Sequence, residues 1–134
     1  MPKYFEQDHN LSEFIILGRS NVGKSSLINA LLSKNVALAS KTPGKTQDLG
    51  FWSIPALNAM LVDSPGYGYA KAPDKAKEEW RRMMMRYLTD SQRLRMGILL
   101  VDAEVGLMES DKLLARMMTD LQKSFIVAFT KADK

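Results

Sequence analysis

Cysteine is absent from the chain, which excludes disulfide bonds and thiolate metal sites and is compatible with a reducing compartment. No apolar run approaches the roughly 20 residues that a membrane-spanning helix needs. His9 is the single histidine, and because it stands alone in a polar stretch we expect a solvated side chain rather than a metal ligand. The first residues contain neither an apolar signal core nor a basic amphipathic pattern, so no targeting segment is visible.

Excess charge is small, a formal net charge of +4, but it is unevenly placed. Residues 69–95 contain eight basic side chains against four acidic ones, so this segment accounts for the whole excess. A basic surface of this kind suits an acidic partner such as RNA. A solvated helix face explains the same residues equally well, and the sequence does not decide between the two interpretations.

A glycine-rich stretch is the feature around which the chain is organised. The apolar residues 14–17 run into it and a helical pattern at 27–31 follows it, which predicts a strand, a loop and a helix. The loop comprises Gly18, Arg19, Ser20, Asn21, Val22, Gly23, Lys24 and Ser25. Its spacing of glycines, lysine and serine is that of a phosphate-binding loop, in which backbone N–H groups and a helix N-terminus face phosphate oxygens. We expect Lys24 to reach the β- and γ-phosphates and the Ser25 hydroxyl to bind Mg²⁺.

Hydrophobic periodicity divides the rest of the chain into short elements within what is at most one domain. The expected elements are an unpatterned arm at 1–11, a loop over 33–48, a hairpin of strands 51–54 and 59–62, a helix around 80–88, a strand over 96–101, a helix over 113–121 capped by Ser110, and a strand over 125–129. Continuous apolar strands that alternate with amphipathic helices indicate an α/β fold with a mainly parallel sheet. The hairpin would supply one antiparallel edge strand.

Three motifs follow directly on the ends of predicted strands, at Gly18, Asp63 and Thr130. Because ligands of such folds bind at the carboxyl ends of the strands, we expect all three motifs on one rim of the sheet. An aspartate in this position either caps a helix or binds a metal. Its order after the phosphate-binding loop favours Asp63 as the second Mg²⁺-site residue.

Together these motifs resemble the EngB (YihA/YsxC) GTPases, a family of the TrmE-Era-EngA-EngB-Septin-like class. The matching stretches are GRSNVGKSSLINAL (Gly18 to Leu31), SKTPGKTQ (Ser40 to Gln47), DSPGYGYA (Asp63 to Ala70) and TKADK (Thr130 to Lys134). The resemblance implies a P-loop G domain with helices on both faces of the sheet. On this interpretation residues 12–134 are a C-terminally truncated G domain that lacks its final strand and helices. The chain would then be marginally stable, with Ile15 and Leu17 partly uncovered.

The resemblance also implies a role for each matching residue. Thr46, in the first switch loop, would bind Mg²⁺ beside Ser25 and sense the γ-phosphate, which the Gly66 amide would also meet. The residues that flank these two are Gly44, Lys45, Gln47 and Asp48 in the first switch and Asp63, Ser64 and Pro65 in the second.

The last matching stretch would hold guanine, and the resemblance assigns this role to Thr130, Lys131, Ala132 and Asp133. Chemistry supports Asp133 independently, because one carboxylate accepts hydrogen bonds from both the N1–H and the exocyclic amine of guanine. Adenine does not offer that pair of donors, so a site of this kind rejects it strongly.

The residues with expected catalytic roles are Lys24, Thr46, Gly66 and Asn21. Tyr67 follows Gly66, where many switch GTPases place a glutamine that orients water. In related GTPases an asparagine at the position of Asn21 helps to hold K⁺ against the phosphates. A role for Asn21 in shaping the turn fits equally well.

The expected function is a slow, Mg²⁺-dependent GTPase that works as a monomeric switch in assembly of the large ribosomal subunit. Its partner would be a precursor of that subunit or ribosomal RNA. Residues 99–111 are more similar to mitochondrial members of the family, so both the cytoplasm and the mitochondrial matrix are expected locations. One alternative is a GTPase of organelle maintenance or cell division that acts through protein partners. Another is a truncated fragment that does not hydrolyse GTP.

Overall fold

The computed structural model describes residues 10–19, 22–31, 37–40, 49–66 and 74–131. In chain order the elements are β1 (Ser12–Gly18), α1 (Lys24–Leu31), β2 (Ala37–Ser40), β3 (Gly50–Ile54), a 3₁₀ turn (Pro55–Leu57), β4 (Ala59–Asp63), α2 (Asp74–Asp90), β5 (Leu94–Asp102), α3 (Glu109–Asp120) and β6 (Phe125–Thr130). The strands form one sheet in the order β2-β3-β4-β1-β5-β6. Residues 1–9 of the predicted arm lie outside the described residues, and the predicted domain division stays a prediction.

The centre of the sheet is parallel, as its continuous apolar strands predict. β1 pairs in parallel with β4 on one side and β5 on the other, and β5 pairs in parallel with β6. Ile15, Ile16 and Leu17 of β1 are fully buried, because a strand covered on both faces needs apolar residues at successive positions. The predicted α/β fold with a mainly parallel sheet is confirmed.

The predicted hairpin forms, but its position in the sheet differs from the prediction. β3 runs antiparallel to β4, and Asn58 closes the connection at a positive φ of 50°. β3 is not the edge strand, because β2 pairs with its outer side, again antiparallel. The prediction of a loop over 33–48 was therefore wrong at Ala37–Ser40. These four residues include no β-branched side chain, and pairing with β3 rather than intrinsic propensity places them in the sheet.

Helices cover both faces of the sheet, as the resemblance implied. Ile15 and Leu17 pack in one cluster with Met84 of α2 and Leu114 of α3. Ile16 points to the other face and packs with residues of α1, including Ile28. The expectation that Ile15 and Leu17 are partly uncovered was wrong, because α2 and α3 cover the face to which both side chains point.

Apolar exposure falls instead on β6, the outer strand of the described sheet. Ile126, Val127 and Phe129 are about half exposed, at 48%, 40% and 57%. Sequence could not locate this exposure, because the apolar run over 125–129 is as continuous as that of the buried strands. The position of β6 in the sheet decides it.

The start of α3 also differs from the prediction. The helix begins at Glu109 after Met108, so Ser110 lies inside its first turn and is not the N-cap. Asp111 replaces the expected cap, since its buried carboxylate accepts a hydrogen bond from the Met108 N–H at 2.9 Å. A carboxylate at this third helical position satisfies a backbone donor that the helix leaves unpaired.

A buried polar cluster fastens the C-terminal end of α2 to β1. The Glu13 carboxylate, 1% exposed, accepts hydrogen bonds from the Tyr87 hydroxyl and, at 2.9 Å, from the Ser91 hydroxyl. Burial raises the pKa of the Tyr87 phenol far above its ordinary value, and the Glu13 charge raises it further. The raised pKa keeps the phenol protonated, so the Tyr87 hydroxyl is the donor in its hydrogen bond to Glu13.

Tyr87→Phe should lower the free energy of unfolding by about 1–3 kcal/mol, because the buried Glu13 carboxylate loses a donor without gaining contact with water. Urea denaturation of the 134-residue chain measures the change. Thr119→Ala is the matched control, since its hydroxyl bonds to Ala115 at an exposed position. Equal losses in the two variants would show that the buried carboxylate does not depend on Tyr87.

Candidate functional site

Four strands end on one rim of the sheet. β1, β4, β5 and β6 are parallel, and their last residues are Gly18, Asp63, Asp102 and Thr130. The prediction that Gly18, Asp63 and Thr130 meet at one edge is confirmed. Asp102 joins them; it directly follows the strand predicted over 96–101, and no role was predicted for it.

The glycines of the loop after β1 are required for two different reasons. At Gly18 an added Cβ would lie 2.8 Å from Cγ1 of Val22, so a side chain here would require Val22 or the backbone beside it to shift. At Gly23 the backbone adopts a φ of +104°, which other residues rarely reach. The loop then turns directly into α1, whose first residue is Lys24. Ser20 and Asn21 lie outside the described residues, as does the side chain of Ser25.

An ion pair joins the loop to the end of β4. Nζ of Lys24 lies 2.6 Å from Oδ1 of Asp63, and each side chain is only 14% exposed. These two residues are 39 positions apart in the chain, and the parallel pairing of β1 with β4 brings them together. A cation and a carboxylate therefore sit side by side where the sequence predicts a phosphate ligand and a metal ligand.

The segment after Asp63 is fixed by side chains that bond to backbone. Ser64 is fully buried, and its hydroxyl donates to the Ile16 carbonyl at 2.7 Å, so this side chain holds the end of β4 against β1. The next carbonyl, that of Pro65, accepts a hydrogen bond from the Trp80 indole N–H at 3.0 Å. Gly66 is the last described residue before α2.

Thr130 connects the last strand to the phosphate-binding loop. Its hydroxyl lies 2.6 Å from the Val22 carbonyl and 3.4 Å from that of Val101, and its Cβ faces the bare α-carbon of Gly23. The threonine assigned to the guanine motif thus supports the backbone that would surround phosphate. The loop and the last strand form one structural unit.

Lys131 and Asp102 form a second ion pair on the rim. Nζ of Lys131 lies 3.1 Å from Oδ2 of Asp102, and the lysine backbone takes a positive φ of 60°. The Glu104 N–H donates to the other oxygen of Asp102 at 2.8 Å and, together with Lys131, lowers the pKa of this carboxyl. Asp102 therefore stays ionised and orients Lys131. Its only sequence signal was a carboxylate at the end of a buried strand.

The described part of the rim fits a magnesium nucleotide chemically. Nε of Arg19 is buried with no hydrogen-bond partner within the described ranges, which leaves a donor for a ligand. Those ranges contain no group of three acidic, histidine or cysteine side chains that could hold a metal by themselves. One carboxylate, Asp63, beside a loop of backbone donors is the arrangement in which Mg²⁺ takes its remaining ligands from phosphates and water.

Several predicted site residues lie outside the described ranges. These are Ser20, Asn21, Gly44, Lys45, Thr46, Gln47, Asp48, Ala132 and Asp133. Their roles stay predictions. Separately, no helix among the described residues is long and apolar enough to cross a membrane.

Comparison with known proteins agrees with the geometry. The sequence model of a family described as 50S ribosome-binding GTPase matches residues 13–131. A probable GTP-binding protein EngB of Rhodospirillum rubrum is 46% identical over an alignment of 134 positions that covers 95% of this chain but only 57% of that protein. The chain thus spans little more than half the length of the curated relatives it matches.

Two crystal structures extend the likeness to the fold. A probable GTP-binding protein EngB has a TM-score of 0.71 at 28% identity, over 91% of this chain and 72% of its own. Era, in complex with MgGDPNP and nucleotides 1506-1542 of 16S ribosomal RNA, has a TM-score of 0.63 at 27% identity, over 94% of this chain and 42% of its own. The chain belongs to the 50S ribosome-binding GTPase family and, within it, to the EngB GTPases.

Proposed function

We propose that this chain binds GTP with Mg²⁺, hydrolyses it to GDP and phosphate, and acts as a switch in assembly of the large ribosomal subunit. The observation that supports this most strongly is the Lys24–Asp63 pair. It lies on the rim between the glycine loop that leads into α1 and the strand that leads to Gly66. Membership of the EngB GTPases supports the same activity.

The phosphate-binding loop would hold the phosphates through backbone N–H groups, as the positive φ of Gly23 and the start of α1 at Lys24 favour. Lys24 would exchange its contact with Asp63 for the β- and γ-phosphates. Arg19 offers a further buried donor. Before nucleotide binds, the ion pair with Asp63 already restricts the Lys24 side chain. Less conformational entropy of this side chain is therefore lost when nucleotide binds.

Asp63, with the Ser25 and Thr46 hydroxyls, would hold the metal. Mg²⁺ supplies charge neutralisation at the phosphates when it is bound. Asp63 would become free to bind Mg²⁺ when Lys24 moves from Asp63 to the phosphates. Oxygen ligands from one carboxylate and two hydroxyls, completed by phosphate and water, suit Mg²⁺.

Hydrolysis would proceed by in-line attack of water on the γ-phosphate, with Lys24 and the Gly66 N–H stabilising the charge that develops. Tyr67 follows Gly66, and its ring does not orient water as a glutamine amide does. Asn21 is our candidate for the missing positive charge, through K⁺ held against the phosphates. A turn-shaping role for Asn21 is the competing interpretation, and both stay predictions.

Lys24→Ala should weaken binding of GDP and of a non-hydrolysable GTP analogue by about a hundredfold or more, because it removes a cation from a partly buried charge cluster. Titration with a fluorescent nucleotide measures both affinities. Lys123→Ala is the matched control, since Lys123 precedes β6 at the opposite end of the sheet. Near-native affinity in Lys24→Ala would refute the phosphate-binding assignment.

Asp133→Asn should weaken GTP and favour xanthosine triphosphate. The new amide donates where the carboxylate accepted, and xanthine has an oxo group in place of the amine of guanine. Competition between the two nucleotides for the same site measures their ranking. If the native ranking persists in the variant, Asp133 does not recognise the base.

The proposal of a ribosomal partner is based on the basic side chains of α2 and of the residues around it. Arg81 and Arg82 are exposed, with side chains at 58% and 74%, and pair with Glu78 only at 3.8 and 3.9 Å. Exposed pairs at such distances contribute little, so both guanidinium groups remain available to phosphate. The family description and the RNA complex of the related Era favour the same partner class.

The 134-residue chain should therefore co-sediment with large ribosomal subunits more strongly in the presence of a GTP analogue than of GDP. Arg81→Glu together with Arg82→Glu should reduce the bound fraction, and added salt should reduce it as well, because phosphate contacts release counterions. Lys112→Glu on α3 controls for a general loss of charge. A bound fraction that depends neither on the nucleotide nor on the charge at positions 81 and 82 would favour a partner other than RNA.

A further inference from the structure

The peptide unit between Pro65 and Gly66 is held from one side by Trp80. The Pro65 carbonyl accepts the indole N–H at 3.0 Å. The same planar unit contains the Gly66 N–H, and no cis peptide occurs among the described residues. In a trans unit the carbonyl and the N–H point in opposite directions. A bond that fixes the Pro65 carbonyl therefore also fixes the direction of the Gly66 N–H.

The position of Trp80 determines the direction in which the Gly66 N–H points. Trp80 belongs to α2 and packs against the cluster that contains Ile15 and Leu17, on one face of the sheet. Helix α1, which begins with Lys24, covers the other face. Since the Pro65 carbonyl points towards Trp80, the Gly66 N–H points away from α2, and the helix on the opposite face of the sheet is α1, which begins with Lys24.

The residues before this peptide unit are already fixed, so the Trp80 bond completes the support. Both the N–H and the hydroxyl of Ser64 lie within hydrogen-bond range of the Ile16 carbonyl, at 3.5 and 2.7 Å. Pro65 has no N–H of its own and a restricted φ. After Ser64, the hydrogen bond that the described residues provide to this segment is the one from the Trp80 indole N–H to the Pro65 carbonyl.

Helix α2 provides a rigid base for this contact. Seven and eleven positions after Trp80, Tyr87 and Ser91 donate to the buried Glu13 carboxylate of β1. The far end of the helix is thus tied to the central strand, and Trp80 reaches the rim from a helix whose position is set elsewhere. Donors held in advance in this way need no reorganisation when charge develops on a ligand.

We infer that Trp80 is a positioning residue that presents the Gly66 N–H to the terminal phosphate of GTP. The inference rests on the proposed function, because it needs a triphosphate on this rim. GDP has no terminal phosphate at that point, so the Trp80 contact contributes to the affinity for GTP and to hydrolysis but not to the affinity for GDP. Trp80 acts through Gly66 and does not touch the nucleotide.

Trp80→Phe tests this, because phenylalanine keeps an aromatic ring in the cluster and removes the N–H. We expect the affinity for a non-hydrolysable GTP analogue, and the single-turnover rate of GTP hydrolysis, to fall by about twofold to about tenfold, the range that one neutral hydrogen bond supplies. The affinity for GDP should stay within about twofold of the native value. The ratio of the two affinities is the decisive readout, since general destabilisation of the fold lowers both.

Tyr87→Phe is the matched control. It removes a donor from the same helix at the end that is bonded to Glu13, so it should lower stability and leave the ratio of affinities unchanged. A second control keeps the shape of the indole. In a Trp52→Phe background, benzothienylalanine at position 80 replaces the N–H by sulfur and should reproduce the loss in Trp80→Phe.

The outcomes separate this inference from the proposed function. A native chain that binds neither GDP nor the GTP analogue overturns both. A native chain that binds and hydrolyses GTP, with Trp80→Phe and the benzothienyl variant unchanged in their ratio of affinities, overturns the role of Trp80 alone. An equal loss of GDP and GTP-analogue affinity in Trp80→Phe also overturns it, because Trp80 would then support the fold rather than the orientation of Gly66.

Discussion

Parallel pairing of β1 with both of its neighbours is the constraint on which the rest of the structure depends. It places the ends of β4, β1, β5 and β6 on one rim, so residues from distant parts of the chain meet there. The pairing requires β1 to be covered on both faces, and Ile15, Ile16 and Leu17 are fully buried as a result. The Lys24–Asp63 contact exists because the strand before Lys24 and the strand that ends in Asp63 are neighbours.

Much of the site consists of side chains that hold backbone rather than face a ligand. The Ser64 hydroxyl fastens β4 to β1, the Thr130 hydroxyl supports the carbonyl of Val22, and the Trp80 indole fixes the peptide before Gly66. Each of these donors satisfies a carbonyl near the rim. The peptide units that contain the Val22 and Pro65 carbonyls also contain the Gly23 and Gly66 N–H groups, which are thereby given fixed directions, as recognition of phosphate by main-chain amides requires.

Helix α2 connects the two ends of the molecule. Its Trp80 contacts the rim, while its Tyr87, together with Ser91 just after the helix, donates to the buried carboxylate of Glu13 at the start of β1. The exposed face of the same helix presents Arg81 and Arg82. A nucleotide on the rim and an acidic partner bound to the helix would therefore both act on α2. In the proposed switch, this shared helix would couple the binding of the two.

The sequence by itself determined the fold class, the phosphate-binding loop and the shared rim of Gly18, Asp63 and Thr130, because these depend on local periodicity and on the spacing of glycines. It did not determine β2, which forms only by pairing with β3, nor the start of α3, where Asp111 rather than Ser110 supplies the capping oxygen. Only the tertiary structure decided that Ile15 and Leu17 are covered, that Asp102 orients Lys131, and that Trp80 reaches Pro65. Each of these joins residues far apart in the chain, and such contacts depend on which strands are neighbours rather than on the pattern within any one of them.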